Sequence, residues 1–222
     1  MATLLRYTWN MIVIDVEASG IDPKKNSLLS IGAVNFKNPK EQFYKECYAF
    51  EGAEIDESAI AYCGFTMAEA IDKTKLSEGE MVQAFFDWAK QFDEITLAGE
   101  NVVWLDLAAL SYATERHGLK HDFAFKSQFA YQQPMPFGFR TVDLHSLSYA
   151  HHLKRGVKPP MEKGLTRLSA DTTLRYVGLP AEPKPHHALN GAKYEAEAFS
   201  RLIYGKNLLP EFAQYPIPEY VL

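Results

Sequence analysis

Residues 10–20 constrain the fold of this chain most strongly. An unbroken apolar run at residues 11–14 leads directly into Asp15 and Glu17. Such a run is typical of a strand that is buried on both faces. Because alternate residues of a strand point to the same side, Asp15 and Glu17 should face one side together. Two adjacent carboxylates repel each other, and a divalent cation would neutralise them, although such a pair at a polar strand end is also common by chance.

Composition and charge place the chain among ordinary globular proteins. Its 222 residues fit a single domain, 1–222, and 47% of them are hydrophobic, which is enough for a substantial core. A net charge of −5 argues against a protein that coats nucleic acid, but it allows an enzyme that grips a few nucleotides. The chain has no apolar segment of membrane-spanning length and no signal-peptide pattern, so we expect a cytoplasmic protein without a membrane partner. We expect Cys47 and Cys63 to be small, buried, reduced side chains.

The order of the predicted elements indicates an α/β fold. Short polar turns join the first three strands into an antiparallel meander, and helices alternate with strands after it. Together they predict a mixed sheet with helices on both faces, in which sites gather at the C-terminal ends of the central strands. After the first strand, the predicted strands cover residues 28–36, 42–50, 95–99 and 141–143. The predicted helices cover residues 56–62, 66–72, 77–92, 105–117, 144 to about 153, 164–177 and 188–202.

Three segments fall outside this alternation. Residues 120–140 are predicted to form an aromatic-rich insertion, whose rings could stack on bases, contact a partner or pack on their own domain. Residues 151–175 are basic, which is typical of a solvated loop and also of a phosphate-binding surface. Residues 208–222 contain three prolines and are predicted to form an extended tail.

Further polar residues fall at the ends of predicted elements. Asp106 opens the helix that follows the strand ending near Gly99, where it could be a ligand or only a helix cap. His186 and His187 come directly before the last helix. Such a pair is usually a surface feature, but beside a metal cluster one of them could accept a proton near neutral pH.

Taken together, these segments resemble the motifs of the DEDDh 3′–5′ exonucleases. Residues 15–20 are similar to the first motif, with Ala-Ser in place of two threonines. Residues 98–106 resemble the second motif and residues 186–192 the third. The resemblance extends over about residues 12–202. It implies a ribonuclease H-like mixed five-stranded sheet of order 3-2-1-4-5, with strand 2 antiparallel and helices on both sides.

The resemblance also implies a reaction, which is two-metal hydrolysis of phosphodiester bonds. Two Mg²⁺ or Mn²⁺ ions would bind to the carboxylates. His186 would take the proton of the attacking water, with His187 as the alternative if the register is shifted by one. The implied metal ligands, which also count as catalytic, are Asp15, Glu17 and Asp106. The implied substrate-binding residues are Ala18, Ser19 and Gly20, near the terminal sugar, and Asn101, which would orient the site.

The implied substrate is the 3′ end of single-stranded DNA or RNA, from which nucleoside 5′-monophosphates would be released. Homodimers are common among such enzymes, and the aromatic insertion and the proline-rich tail are the candidate contacts here.

The sequence departs from the family pattern at two positions. Asp106 lies five residues after Asn101 where the family has four, so the turn between them must absorb one residue. The third motif ends in a metal-binding Asp whose position is occupied here by Gly191, which offers no ligand. Glu195, one helical turn later, is either the replacement ligand or a solvated helix charge. A second function therefore stays open, that of a weakened exonuclease-like protein that binds 3′ ends or a partner protein.

Overall fold

The computed structural model of the protein describes residues 10–120, 137–138 and 140–222. Within these residues, six strands form the main sheet. The strands are β1 (Ile12–Ala18), β2 (Leu28–Asn35), β3 (Gln42–Tyr48), β4 (Leu76–Ser77), β5 (Leu97–Gly99) and β6 (Val142–Asp143). Their order across the sheet is β4-β3-β2-β1-β5-β6.

The directions of the strands confirm the predicted mixed sheet. β2 pairs antiparallel with both β1 and β3, whereas β5 runs parallel to β1 and β6 parallel to β5. Five strands therefore stand in the predicted order. The sixth, β4, was not predicted, because its two residues lie where the sequence favours the start of a helix; it pairs in parallel with the edge strand β3.

Seven α-helices lie in the described part of the chain. The helix that follows Ser77 begins where the sequence predicts it. The Ser77 hydroxyl accepts from the Glu80 N–H (3.3 Å), and the Glu80 carboxylate accepts from the Ser77 N–H (2.8 Å). The helices are α1 (Glu57–Tyr62), α2 (Met67–Ala70), α3 (Glu78–Ala89), α4 (Asp106–Arg116), α5 (Leu144–Lys154), α6 (Ala170–Tyr176) and α7 (Ala188–Tyr204). None of these described helices combines the length and apolar character needed to cross a membrane.

Strand β1 contributes to the core on both of its faces. Ile12 and Ile14 pack with residues of α3 and α4 on one side, and Val13 packs with α7 on the other. Asp15 lies two residues after Val13 and therefore also faces α7. Gly32 of β2 lies opposite Asp15, and a Cβ at Gly32 would overlap the backbone at the start of α7. The first turn of α7 therefore rests directly on the sheet at the end of β1.

The structure corrects the prediction of a helix over residues 164–177. Only the second half is helical, as α6, and Ser169 caps it by accepting from the Thr172 N–H. The first half belongs to a short hairpin of β7 (Met161–Glu162) and β8 (Leu165–Thr166). Lys163 and Gly164 between them have φ values of 49° and 82°, a left-handed turn that no helix can contain.

Two predicted segments are only partly described. Residues 121–136 and 139 of the aromatic insertion lie outside the described residues, but Phe137 is buried with its ring 5.3 Å from that of Phe85. The tail over 208–222, predicted as extended, contains a short 3-10 helix at Pro210–Phe212 and buries Leu209, Phe212 and Val221.

Arg201 fastens the C-terminal segment to α7. Its guanidinium donates to the Glu197 carboxylate at 2.8 Å, and both side chains are fully buried. The same guanidinium donates to the carbonyl oxygens of Val177 (2.9 Å), Phe212 (3.1 Å) and Tyr215 (3.0 Å). A buried ion pair of this kind leaves a costly unpaired charge if one partner is removed.

We therefore expect Arg201→Met to lower the free energy of unfolding by about 3–5 kcal/mol, because the buried Glu197 carboxylate would keep the N–H groups of Leu208 and Leu209 but lose its cationic partner. Urea denaturation followed by circular dichroism measures this change. The control is Arg167→Met, whose ion pair with Glu162 (2.7 Å) is exposed and should contribute about 0–1 kcal/mol. Equal losses in the two variants would contradict the anchoring role of Arg201.

Candidate active site

Asp15 and Glu17 emerge at the end of β1 on the side that α7 covers. Glu17 is 7% exposed, and Asp15 lies directly beneath Gly191 of α7. A Cβ at Gly191 would overlap the Asp15 carboxylate oxygen and would lie 2.8 Å from its Cγ. The helix can therefore pass over Asp15 only because residue 191 has no side chain.

Asp106 begins α4 beside the same strand. Its side chain is 6% exposed, and Oδ1 accepts a hydrogen bond from the Val16 N–H at 3.1 Å. The extra residue before it is accommodated in the preceding turn, where Asn101 takes a left-handed φ of 48° and Trp104 is pushed outward to 75% exposure. The longer spacing therefore leaves Asp106 next to β1.

Glu195 lies one turn after Gly191 on α7 and points inward. It is 6% exposed, and its carboxylate accepts from the Glu100 N–H at 3.0 Å. Glu195 is therefore buried and is not the solvated helix charge that the sequence left as an alternative.

The pKa values of these acids are raised first by burial and, for Asp15, Asp106 and Glu195, also by neighbouring carboxylates. Burial, followed by the negative charges of Glu195 and Glu17, raises the pKa of Asp15 well above its usual value. Burial also raises the pKa of Glu17. Burial raises the pKa of Asp106 to about 7, despite the backbone hydrogen bonds that oppose the shift. Burial, then the charge of Asp106, raises the pKa of Glu195 well above its usual value. The neighbours that raise these pKa values are carboxylates, so no positive charge among the described residues compensates the negative charge of the cluster.

This donor set fits a divalent cation. Oxygen ligands suit hard cations, and Glu17 Oε1 is buried without a hydrogen-bond partner among the described residues. Over the same residues, no three His, Cys, Asp or Glu side chains already surround a common point in coordinating geometry. Asp106 Oδ1 and Glu195 Oε2 each accept from a backbone N–H, and each carboxylate has a second oxygen that could bind an ion.

The two histidines lie in different surroundings. His186 lines a cavity of about 250 Å³ together with Gly191, Glu195 and Glu182. His187 stacks on the ring of Tyr44, with centroids 4.2 Å apart, and lines a second cavity, which His186 also borders. Of the pair, His186 is therefore the one that shares a cavity with Glu195.

The predicted substrate-binding residues contribute unequally. The Ser19 hydroxyl donates to the Glu54 carbonyl (2.8 Å) and accepts from the Ser27 N–H (2.9 Å), so it is fully used within its own loop. Asn101 is exposed and donates to the Glu100 carboxylate at 3.0 Å. The sugar contact expected from Ala18 and Gly20 stays a prediction.

Two residues near the site were not singled out from the sequence. The Cys63 thiol lies near the Glu17 carboxylate, and burial, then the charge of Glu17, raises the pKa of the thiol. Glu182 lies beside His186, with its carboxylate 3.3 Å from Nδ1. Neither residue stands in a periodic pattern or a motif, so the only sequence signal was the four-residue spacing from Glu182 to His186.

Comparisons with known proteins show the family of the chain. The model of the exonuclease family matches residues 12–199. The 3′–5′ DNA exonuclease Cap18 of Escherichia coli is 26% identical over 194 residues, which cover 86% of this chain and 90% of that protein. A ribonuclease T of Photorhabdus laumondii is 28% identical over 130 residues, which cover 51% of this chain and 59% of that protein.

Solved structures of E. coli exonuclease I share the fold. The complex with a dT13 oligonucleotide has a TM-score of 0.63 at 15% identity, and the match covers 87% of this chain and 41% of exonuclease I. An apo form of exonuclease I has a TM-score of 0.60 at 15% identity, and the match covers 87% of this chain and 42% of that one. The chain thus spans about two fifths of exonuclease I.

The fold and the acidic site define a ribonuclease H-like enzyme of the 3′–5′ exonuclease class. Because the family model covers most of its length, the chain belongs to the RNase T exonuclease family. Both the predicted resemblance and the predicted enzyme class are confirmed.

The raised pKa values predict how stability depends on pH. The pKa of Asp106 rises from 3.8 to about 7 on folding, so ionising it costs more in the folded state, and stability falls as pH rises from about 4 to about 7. In EDTA at pH 8, we expect Asp106→Asn to raise the melting temperature, by about 2–4 °C for each kcal/mol recovered. The exposed control Asp93→Asn should leave it unchanged. A wild-type protein that melts higher at pH 8 than at pH 5.5 without metal would contradict this account.

Proposed function

We propose that this protein is a metal-dependent exonuclease that hydrolyses single-stranded DNA or RNA from the 3′ end and releases nucleoside 5′-monophosphates. The observation that carries the proposal is the cluster of half-buried Asp15 and buried Glu17, Asp106 and Glu195, next to the cavity that contains His186. The relatives named as a DNA exonuclease and a ribonuclease, and the exonuclease I complexes with oligonucleotides, support the substrate class.

The four carboxylates would hold two Mg²⁺ or Mn²⁺ ions. Such ions, when bound, polarise the phosphoryl oxygens and lower the pKa of bound water. In this proposal Glu195 supplies the ligand that Gly191 cannot, since its buried carboxylate acts directly on the pKa of Asp15. Because the carboxylates bind protons more tightly than free acids do, protons and metal would compete for the site below about pH 7.

His186 would receive the proton of the attacking water. Burial lowers its pKa, so its imidazole is neutral at neutral pH and can accept a proton. The backbone of residues 18–20 would contact the terminal sugar, and Asn101 would orient the turn that precedes Asp106. His187 has a weaker claim to the role of base, because it lies in the second cavity against Tyr44.

An oligonucleotide assay tests the proposal. We expect the protein to shorten 5′-labelled single strands from the 3′ end with Mg²⁺ or Mn²⁺, and Asp15→Asn to abolish this. Glu195→Gln should lower kcat by about 100-fold or more, because a ligand of the metal site is lost. The control Glu115→Gln removes an exposed charge from α4 and should have no effect. DNA and RNA strands of one sequence, run in parallel, distinguish the two substrates.

Two outcomes would contradict the proposal or part of it. No shortening with either metal, together with retained binding of the oligonucleotide, would favour the alternative of a catalytically weakened protein that binds 3′ ends. A fully active Glu195→Gln variant beside an inactive Asp15→Asn would show that Glu195 is not a ligand.

Gly191 provides a separate test, because the space for a side chain there is taken by Asp15. We expect Gly191→Ala, and equally Gly191→Asp, to lower activity at least about 10-fold by displacing Asp15. The control Lys193→Ala lies two residues further along α7 and removes an ion pair with Glu211. A gain of activity in Gly191→Asp would instead show that the family's usual fourth ligand fits and was limiting.

The single domain, the cytoplasmic location and the homodimer expected from the sequence stay predictions.

A further inference from the structure

A fifth acid, Glu182, contacts His186. It lies in the loop between α6 and α7, and its carboxylate Oε2 is 3.3 Å from His186 Nδ1. The side chains of Glu182 and His186 are 10% and 21% exposed, so water competes little for this contact. The other carboxylate oxygen, Oε1, accepts from the His187 N–H at 3.4 Å, which helps to hold the acid in place.

We propose that Glu182 is the positioning residue of His186. In this role the carboxylate, whose Oε2 lies 3.3 Å from Nδ1, takes the Nδ1–H of the imidazole and leaves the lone pair of Nε2 free to accept a proton from water. The pairing also stabilises the imidazolium that forms when that proton arrives. The inference deepens the proposed exonuclease function, on which the role of His186 rests.

Other contacts of His186 also limit the positions that its ring can take. The ring of Tyr62 covers one face, with centroids 4.2 Å apart, and the His186 N–H donates to the Tyr62 carbonyl oxygen at 3.0 Å. With its backbone and one ring face held, the imidazole needs only a partner at Nδ1 to fix its tautomer. Glu182 is the acid in reach of that atom.

The other charges near His186 do not contact it in this way. Asp171 on the first turn of α6 and Lys184 in the same loop act on its pKa in opposite directions. Glu182 itself lies close enough to Asp15 and Glu195 to raise their pKa values. A competing role, a further ligand to the cations, therefore has to be separated from the positioning role by experiment.

A double-mutant cycle makes that separation. If Glu182 acts through His186, Glu182→Gln should lower kcat by about 10- to 100-fold with KM unchanged. In a His186→Ala background, the same substitution should not lower kcat any further. Glu182→Asp keeps the carboxylate and should retain more activity than Glu182→Gln. The matched control Asp171→Asn removes a charge from the same cavity without touching Nδ1, and should lower kcat less than about threefold.

The tautomer of His186 gives a readout that needs no catalysis. In ¹⁵N-histidine-labelled protein without metal at pH 8, we expect a protonated Nδ1 and an unprotonated Nε2 for His186. The signal is assigned by its loss in His186→Ala among the seven histidines. In Glu182→Gln the Nδ1-protonated tautomer of His186 should no longer be the major form. In Asp171→Asn it should stay the major form.

Three results would overturn the inference. The first is an Nε2-protonated His186 in the wild-type protein. The second is a loss from Glu182→Gln that is as large in the His186→Ala background as in the wild type. The third is a weaker affinity for Mn²⁺ in Glu182→Gln by calorimetry, which would make Glu182 a ligand. A wild-type protein without nuclease activity would count against the proposed function, whereas the tautomer measurement would still decide whether Glu182 holds His186.

Discussion

The site depends on the close approach of α7 to the end of β1. Helices and sheets are normally separated by their side chains, but here two glycines remove that layer. Gly32 lets the start of α7 rest on β2, and Gly191 lets the next turn pass directly over Asp15. As a result, Glu195 on the following turn reaches the same acidic cluster. A bulkier residue at either glycine would lift the helix and separate the carboxylates.

The acids of the site differ from the other buried acids of the protein in their partners. Glu78 accepts from Arg116 (2.5 Å) and lies 2.8 Å from His117 Nε2, and Glu197 is paired with Arg201. Buried charges are stable only when they are paired in this way. The site acids instead raise one another's pKa values, which destabilises the folded protein at neutral pH. The proposed binding of cations would remove this cost, and the core and the Arg201 anchor offset it elsewhere.

Where the sequence carried a short-range pattern, the predictions succeeded. The alternation along β1 and the capping box of α3 follow from local chemistry, whereas the strand order came from the resemblance to the exonucleases. The failure at residues 164–177 has a local cause as well. The polar and apolar spacing there suits a helix, but Gly164 adopts a left-handed turn and Ser169 starts the helix later. The sequence contains both signals, and only the packed structure decides between them.

The sequence by itself determined that Asp15 and Glu17 share one face of a buried strand, because side chains of a strand alternate with a period of two. The positions of Asp106 and of the pair His186 and His187 at the starts of helices made them candidates, and the resemblance to the exonucleases selected His186 from the pair. Only the tertiary structure decided that Glu195 lies in the acidic cluster and that Glu182 reaches His186. It also decided that Asp15 occupies the space that a side chain at residue 191 would need. These facts depend on the distance between a helix and a sheet and on the path of an irregular loop, which no local periodicity encodes.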